Sequence, residues 1–303
     1  MSEVRGKVCV VTGAGSGIGR ALALELARRG ARAVAISDIK LETAEATAEL
    51  IGAGTEIHTA ALDVSDREAF AAYASEVAGT FGQVHQIYNN AGVADNDPIT
   101  EFDYDRYERI LNVNLWGVIY GTKEFLPHLI ASGDGHVINV SSLNGIMAQQ
   151  GLSAYCASKF AVRGFTESVA FDLKGEGLPV RTTVVHPGGI KTSIADSAME
   201  WARSAGLPVT PEQEARKAFY NEKLLKMDPA RAARIVIDGV ESNNPRVLVG
   251  NDAKMLDALV RLMPRRWPMA FGLLERRFEK ELEARGIQPK SKQPVAESRP
   301  VHH

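Results

Sequence analysis

Short apolar runs alternate along the chain with longer stretches whose apolar residues recur every three or four positions. The runs at 7–12, 33–38, 55–62, 84–90, 136–141, 180–186 and 246–249 are rich in Val, Ile and Ala and read as strands. Between them, 17–29, 41–51, 65–81, 104–131, 155–174 and 230–241 carry helical spacing. Nearly continuous apolar strands separated by helices are what a parallel sheet buried on both faces requires. The predicted architecture is α/β, a single doubly wound parallel sheet with helices on both faces. Right-handed crossovers then put the carboxyl ends of the strands on one rim, where such a sheet binds its ligand.

Three segments depart from the repeating unit. Residues 143–154 form a Gly/Gln/Ala-rich loop, and 188–228 form a long insertion with Ile194, Met199 and Trp201. Loops of this length in a compact domain are lids or binding loops. Residues 254–286 are apolar and basic at helical spacing, including Leu256, Leu259, Leu262, Met263, Arg265, Arg266 and Trp267. The expected organisation is one domain over 1–253, with 188–228 as its substrate loop, a helical C-terminal extension over 254–286 and a disordered tail over 287–303.

Composition narrows the functional classes. The 303 residues carry 35 Lys and Arg against 37 Asp and Glu, a net charge of −2, so no basic stripe is available for nucleic acid. At 45% hydrophobic residues the chain can bury a large core. The two cysteines, Cys9 and Cys156, are expected as reduced thiols, since Cys9 lies in a buried strand. The seven histidines lack metal-ligand spacing, so no metal is expected. A polar N-terminus and the lack of a long apolar run lead to the expectation of a cytoplasmic protein without a membrane span.

Directly after the first predicted strand comes Thr12-Gly13-Ala14-Gly15-Ser16-Gly17-Ile18-Gly19, leading into a helix. Glycines permit a tight turn and let the backbone approach a pyrophosphate, whose charge is received by the helix N-terminus. The Gly-x-Gly-x-x-Gly form is absent, because Ile18 and Arg20 stand where a third glycine would fall. Asp38 ends the second predicted strand. A carboxylate there accepts bonds from ribose hydroxyls and repels a 2′-phosphate by ~1 to 4 kcal/mol. NAD is therefore expected in preference to NADP, with Lys40 and Arg20 as nearby cations favouring the other choice.

Tyr155 and Lys159 stand four residues apart, on one face of a helix. A cation beside a phenol stabilises the phenolate and lowers its pKa, which makes the pair a candidate acid/base. The pair follows the fifth strand, whose end, Asn139-Val140-Ser141-Ser142, lies on the predicted rim.

With these motifs the sequence resembles the short-chain dehydrogenase/reductase family over about residues 4–250. The resemblance rests on Thr-Gly-x-x-x-Gly-Ile-Gly at 12–19, Asp63-Val64, Asn89-Asn90-Ala91-Gly92, Asn114 in Val113-Asn114-Leu115-Trp116-Gly117, Ser142, Tyr155-x-x-x-Lys159, and Pro187-Gly188 followed by Thr192. It implies a Rossmann fold and hydride transfer between a nicotinamide cofactor and a secondary alcohol or ketone. Tyr155 is then the general acid/base, and Ser142 holds the reacting oxygen. Lys159 lowers the phenol's pKa and binds the nicotinamide ribose; Asn114 kinks its helix and anchors a proton relay. For the cofactor, the resemblance implies Gly13, Ser16, Gly17, Ile18 and Gly19 at the pyrophosphate turn, and Asp63 and Val64 at the adenine. Asn90 and Gly92 border the adenosine ribose, Ile190 and Thr192 fix the nicotinamide carboxamide, and Ala91, Pro187 and Gly188 join them in binding the cofactor. A catalytically silent dinucleotide sensor or scaffold is the rival reading, disfavoured by the complete catalytic set.

The two loops are expected to wall an apolar pocket through Ile146, Met147, Leu152, Ile194, Met199 and Trp201, suited to a steroid, retinoid or lipid-like substrate. Family resemblance implies a homodimer or homotetramer assembled through the helices beginning near Tyr104 and Tyr155. The extension at 254–286 is expected to dock on its own domain or a neighbouring subunit, with peripheral membrane contact the lesser choice.

Overall fold

The computed structural model describes residues 2–95, 99, 100, 102–192, 199, 200, 203, 209, 211–223 and 225–287. The chain runs through β1 (Val8–Thr12), α1 (Gly17–Arg28), β2 (Ala33–Asp38), α2 (Leu41–Ala48), β3 (Glu56–Ala61), α3 (Arg67–Phe81) and β4 (Gln86–Asn89). There follow α4 (Tyr104–Leu111), a π-helical stretch (Asn112–Trp116), α5 (Gly117–Ala131), β5 (Gly135–Val140), a 3-10 turn (Leu143–Gly145), α6 (Ser153–Gly175) and β6 (Val180–Pro187). The last described elements are α7 (Pro211–Lys223), α8 (Pro229–Glu241), β7 (Arg246–Val249), α9 (Asn251–Leu262) and α10 (Trp267–Ala284).

The seven strands are all parallel, in the order β3-β2-β1-β4-β5-β6-β7. The chain winds outward from β1 in one direction and from β4 in the other, so a crevice opens at the carboxyl ends of these two strands. Alternation within β1 divides the core between two faces. Val8 and Val10 join Phe70, Val77, Phe125 and Leu129 beneath α3 and α5, while Cys9 and Val11 join Leu22, Leu26, Val236 and Ile237 beneath α1 and α8. Both sides of the strand are dry, which is why its sequence is apolar without alternation. Phe70, Tyr73 and Phe125 meet edge to face at 6.1 to 6.4 Å. Truncating fully buried Phe125 to Ala would cost about 3–5 kcal/mol.

Several boundaries differ from the sequence reading. The stretch 104–131 is not one regular helix: it is interrupted by the π-helical turn that contains Asn114. The insertion at 188–228 contains a helix, α7, whose strongly polar sequence gave little helical signal. The extension is two helices, and the first begins at Asn251, inside the expected domain limit at 253. Pro264 separates them, because a proline disfavours helical backbone at the residue before it; Met263 has φ −127° and ψ 56°. Ile194 and Trp201 lie outside the described residues, as do 288–303. No described helix is long and apolar enough to cross a membrane.

Candidate active site

The turn from β1 into α1 is shaped by close backbone approaches. Gly13 has φ +62°, and a Cβ there would lie 2.7 Å from Ala91 Cα. At Gly19 a Cβ would lie 2.1 Å from the Gly13 carbonyl oxygen. Asn90 stitches this turn to the end of β4, its Nδ2 donating to the carbonyls of Thr12 (3.0 Å) and Gly13 (3.2 Å). Thr12 Oγ1 accepts from the amides of Asn90 and Ala91, each at 3.1 Å. Helices α3, α4 and α8 each have an aspartate side chain bonded to a first-turn amide. At the start of α1 the side chain of the N-cap residue, Ser16, makes no such bond to the helix. Its leading amides and positive end therefore face the crevice, as a phosphate site requires, and Gly17, Ile18 and Gly19 supply them.

Asp38 ends β2, and its Oδ2 accepts from the Gly15 amide at 2.8 Å. The carboxylate is thus held at the rim beside the glycine turn. The two cations near it are committed elsewhere. Arg20 bonds the Gly15 carbonyl and Thr47 Oγ1 (2.9 Å), while Lys40 pairs with Glu200 at 2.9 Å. Asp63 is exposed, and its Oδ1 accepts from the amide (2.9 Å) and hydroxyl (2.6 Å) of Ser65. Val64 is buried against Gly117.

Past β6, Pro187 and Gly188 lead into a segment held by groups the sequence did not flag. Asp252, in the first turn of α9, accepts from the Gly189 amide at 2.6 Å. Ile190 is buried and forms a parallel bridge with Met227. Thr192 reaches back over α1, 3.3 Å from where a Cβ on Gly17 would stand. Ser16, Gly17, Arg20, Lys191, Thr192 and Asn221 border a cavity of about 580 Å³ there.

At the other end of the crevice, α6 begins beneath β5 and presents Tyr155 and Lys159. Burial and a side-chain hydrogen bond from Ser142 define the phenol's surroundings. Lys159 is buried, its Nζ donating to the Val140 carbonyl at 3.0 Å and standing 5.8 Å from the Tyr155 ring centre. Asn114 is held by the π-helical turn. Its Oδ1 accepts from the Val93 amide (2.8 Å), and its Nδ2 donates to the Val93 carbonyl (2.8 Å) and Ser158 Oγ (3.1 Å). Gly92 lies between the parts: a Cβ on it would be 3.2 Å from Asn114 Oδ1 and 3.4 Å from Lys159 Nζ. Thus Asn114, Ser142, Tyr155, Lys159 and Gly92 converge at the carboxyl rim.

Burial dominates the electrostatics of the pair: Tyr155 is raised above the ordinary tyrosine value, with burial outweighing the Ser142 bond. The same burial lowers Lys159 to about 8. Desolvation disfavours the charged form of each, so the dry site favours a neutral phenol and an easily deprotonated amine.

Other groups were not visible as site residues in the sequence. His186, fully buried at the end of β6, donates from Nδ1 to the Ser142 carbonyl at 2.8 Å. Burial lowers its pKa, favouring this neutral tautomer. Asn144 donates its amide to Ser142 Oγ at 3.1 Å. Behind them, Asn89, Asn139 and Thr166 form a buried chain joining β4, β5 and α6, with bonds of 2.8 and 3.0 Å. Of the expected pocket lining, Ile146 and Met147 are buried, and Leu152 and Met199 are half-buried.

Residues 7–203 match the family model of the short chain dehydrogenases. SadH of Mycobacterium tuberculosis, named as an oxidoreductase, is 46% identical over 264 residues, covering 87% of this chain and 93% of SadH. The 3beta-hydroxysteroid dehydrogenase 2 of Eggerthella lenta is 38% identical over 202 residues, covering 64% of this chain and 77% of that protein. A solved short chain dehydrogenase/reductase of Burkholderia phymatum in complex with NAD has a TM-score of 0.75 at 26% identity, covering 98% of this chain and 100% of the other. The chain belongs to the short-chain dehydrogenase family, as a Rossmann-fold oxidoreductase. Members of that family use NAD or NADP, and the glycine turn, uncapped α1 and Asp38 fit such a dinucleotide.

Proposed function

We propose that the protein interconverts a secondary alcohol and a ketone, using NAD in preference to NADP, and that its substrate is bulky and apolar. The carrying observation is the convergence of Ser142, Tyr155, Lys159 and Asn114 at the carboxyl rim. Bound nicotinamide supplies the carbon that gives or takes the hydride. The chain's own residues orient the reactants and handle one proton.

Tyr155 gives its proton to the carbonyl oxygen in reduction and removes it from the hydroxyl in oxidation. Ser142 donates a hydrogen bond to that same oxygen. Lys159 binds the ribose and exchanges protons with the phenol, while Asn114 keeps the amine's surroundings in place through Val93 and Ser158. Because burial raises the phenol's pKa, the group is protonated at neutral pH and ready to act as an acid. Reduction is therefore sustained into mildly alkaline solution, and oxidation rises with pH as phenolate forms.

Asp38 beside Gly15 supports the preference for NAD, since a 2′-phosphate there would meet a carboxylate while Arg20 and Lys40 are engaged. The hydroxysteroid dehydrogenase among the relatives supports a bulky alcohol. Exposed Tyr104, Trp116, Phe160 and Phe171, on or next to α4 and α6, support a homo-oligomer through those helices.

The test is reduced-nicotinamide absorbance with a panel of secondary alcohols and ketones, from small to steroid-sized. Tyr155→Phe is expected to lower kcat by about 10²- to 10⁴-fold while leaving NAD affinity within a few-fold. Unchanged turnover in this variant would remove the catalytic assignment. Tight NAD binding with no substrate turned over would favour the sensor reading.

A further inference from the structure

The two faces of α10 differ in what they touch. Its inner face docks on the body: Leu282 is buried, and Arg285 lies over the Phe219 ring (4.8 Å) and pairs with Glu222 of α7 at 2.8 Å. Trp267 and Phe271 share this inner side, with ring centres 6.5 Å apart. The outer face carries Met269, Leu273, Arg276 and Lys280 at spacings of four, three and four, and all are exposed. Arg277 is exposed beside them. A helix serving only to dock on its own domain would turn a polar face outward. Here Met269 is 75% exposed and Leu273 is 66% exposed.

The helix before the corner, α9, also leaves large apolar residues in solvent. Leu262 is 82% exposed, and Met255, two turns earlier on the same face, is 59% exposed. Between the helices stand Arg265 and Arg266, both exposed and without an ion pair to a described residue. The two helices together are nearly balanced, with seven Lys and Arg against six Asp and Glu over 251–284, but the positive charge gathers at the corner, where 261–266 hold Arg261, Arg265 and Arg266 and no acidic residue.

We infer that the corner between α9 and α10 is a docking surface for an anionic lipid membrane, an interaction independent of the proposed reaction. Leu262, Met269 and Leu273 would enter the boundary between headgroups and acyl chains. Arg265, Arg266, Arg276, Arg277 and Lys280 would lie at the phosphates. A second copy of the chain is the poorer occupant, because a two-fold contact would set this patch against itself and bring Arg265, Arg266, Arg276, Arg277 and Lys280 of both copies together, where like charges repel. The contact would be peripheral, since no described helix is long and apolar enough to cross a bilayer.

The full chain would be sedimented with vesicles of phosphatidylcholine alone and with about 30% phosphatidylglycerol, with thermal melts of each variant checking the fold. Binding is expected only to the anionic vesicles and should weaken as salt is raised. Arg265→Gln with Arg266→Gln should reduce it by about 30-fold. Leu262→Ser with Met269→Ser and Leu273→Ser should abolish it while leaving every charge in place. No binding by the native chain, equal binding to both vesicles, or binding retained in the triple serine variant would overturn the inference. So would a drop in solution mass on light scattering of that variant with vesicle binding unchanged, which would assign the patch to a second copy.

Discussion

At the β1–β2 end of the crevice, position is set by main chain: glycines without room for a Cβ, an uncapped helix start, and one carboxylate on a backbone amide. At the β4–β6 end it is set by buried side chains that bond one another or the main chain: Asn89 with Asn139, His186 on the Ser142 carbonyl and Lys159 on the Val140 carbonyl. The difference teaches where each end is vulnerable. A backbone cradle fails through steric intrusion and is indifferent to pH. A desolvated side-chain cluster fails through lost hydrogen bonds and carries a stability cost that depends on protonation.

Lys159→Met should produce the largest change, and in two directions. Turnover is expected to fall by at least about 10²-fold, with the protein more stable at neutral pH by ~1–3 kcal/mol. The sign follows from linkage. The folded-state value, about 8, lies below the ordinary 10.5, so in that interval the unfolded chain holds the proton more often. Native stability relative to the variant should therefore rise with pH from about 8 towards 10.5, and denaturant melts at several pH values would detect it. A pH-independent difference between the two proteins would contradict a desolvated amine.

Gly19→Ala tests the other end. Its new methyl would stand 2.1 Å from a backbone oxygen that cannot swing away. We expect a loss of about 2–3 kcal/mol and severely weakened NAD binding, measured by melting and by cofactor titration. Asp38→Ala should leave the fold intact and narrow the gap between NAD and NADP by about tenfold. Equal affinities in the native protein would contradict the role given to this carboxylate.

The smallest effect is expected at His186. His186→Leu leaves the Ser142 carbonyl without its donor, so kcat should fall several-fold and the apparent pKa of the phenol should move up, with NAD affinity constant. Asn at this position, which keeps a donor, should restore part of the loss. Equal defects in the two variants would mean that the ring serves packing rather than the placement of Ser142.

The same contrast explains what could be read from the sequence. The seven strands were legible because burial on both faces leaves a continuous apolar signature. The nucleotide turn was legible because close approach demands glycine at fixed spacing. Tyr155 and Lys159 were found because helical geometry ties their separation to a shared face. His186 and Asp252 were missed, since a lone histidine at a strand end and an aspartate in a helix's first turn have ordinary local roles; only tertiary folding brings them to Ser142 and Gly189. The dryness of the Tyr155–Lys159 pair was not legible for a related reason: spacing places an amine near a phenol but does not report how far both are desolvated.

Asp252 also alters what can be removed from this molecule. The helix that opens the C-terminal extension supplies the carboxylate clamping the Gly189 amide, and Arg246 at 2.6 Å from Asp257 ties that helix to the last strand. A chain shortened before Asn251 would lose the clasp of the loop leading to Thr192, so trimming the extension there would loosen the catalytic body as well. Mechanical load on the outer helices has a short covalent and hydrogen-bonded route to that loop.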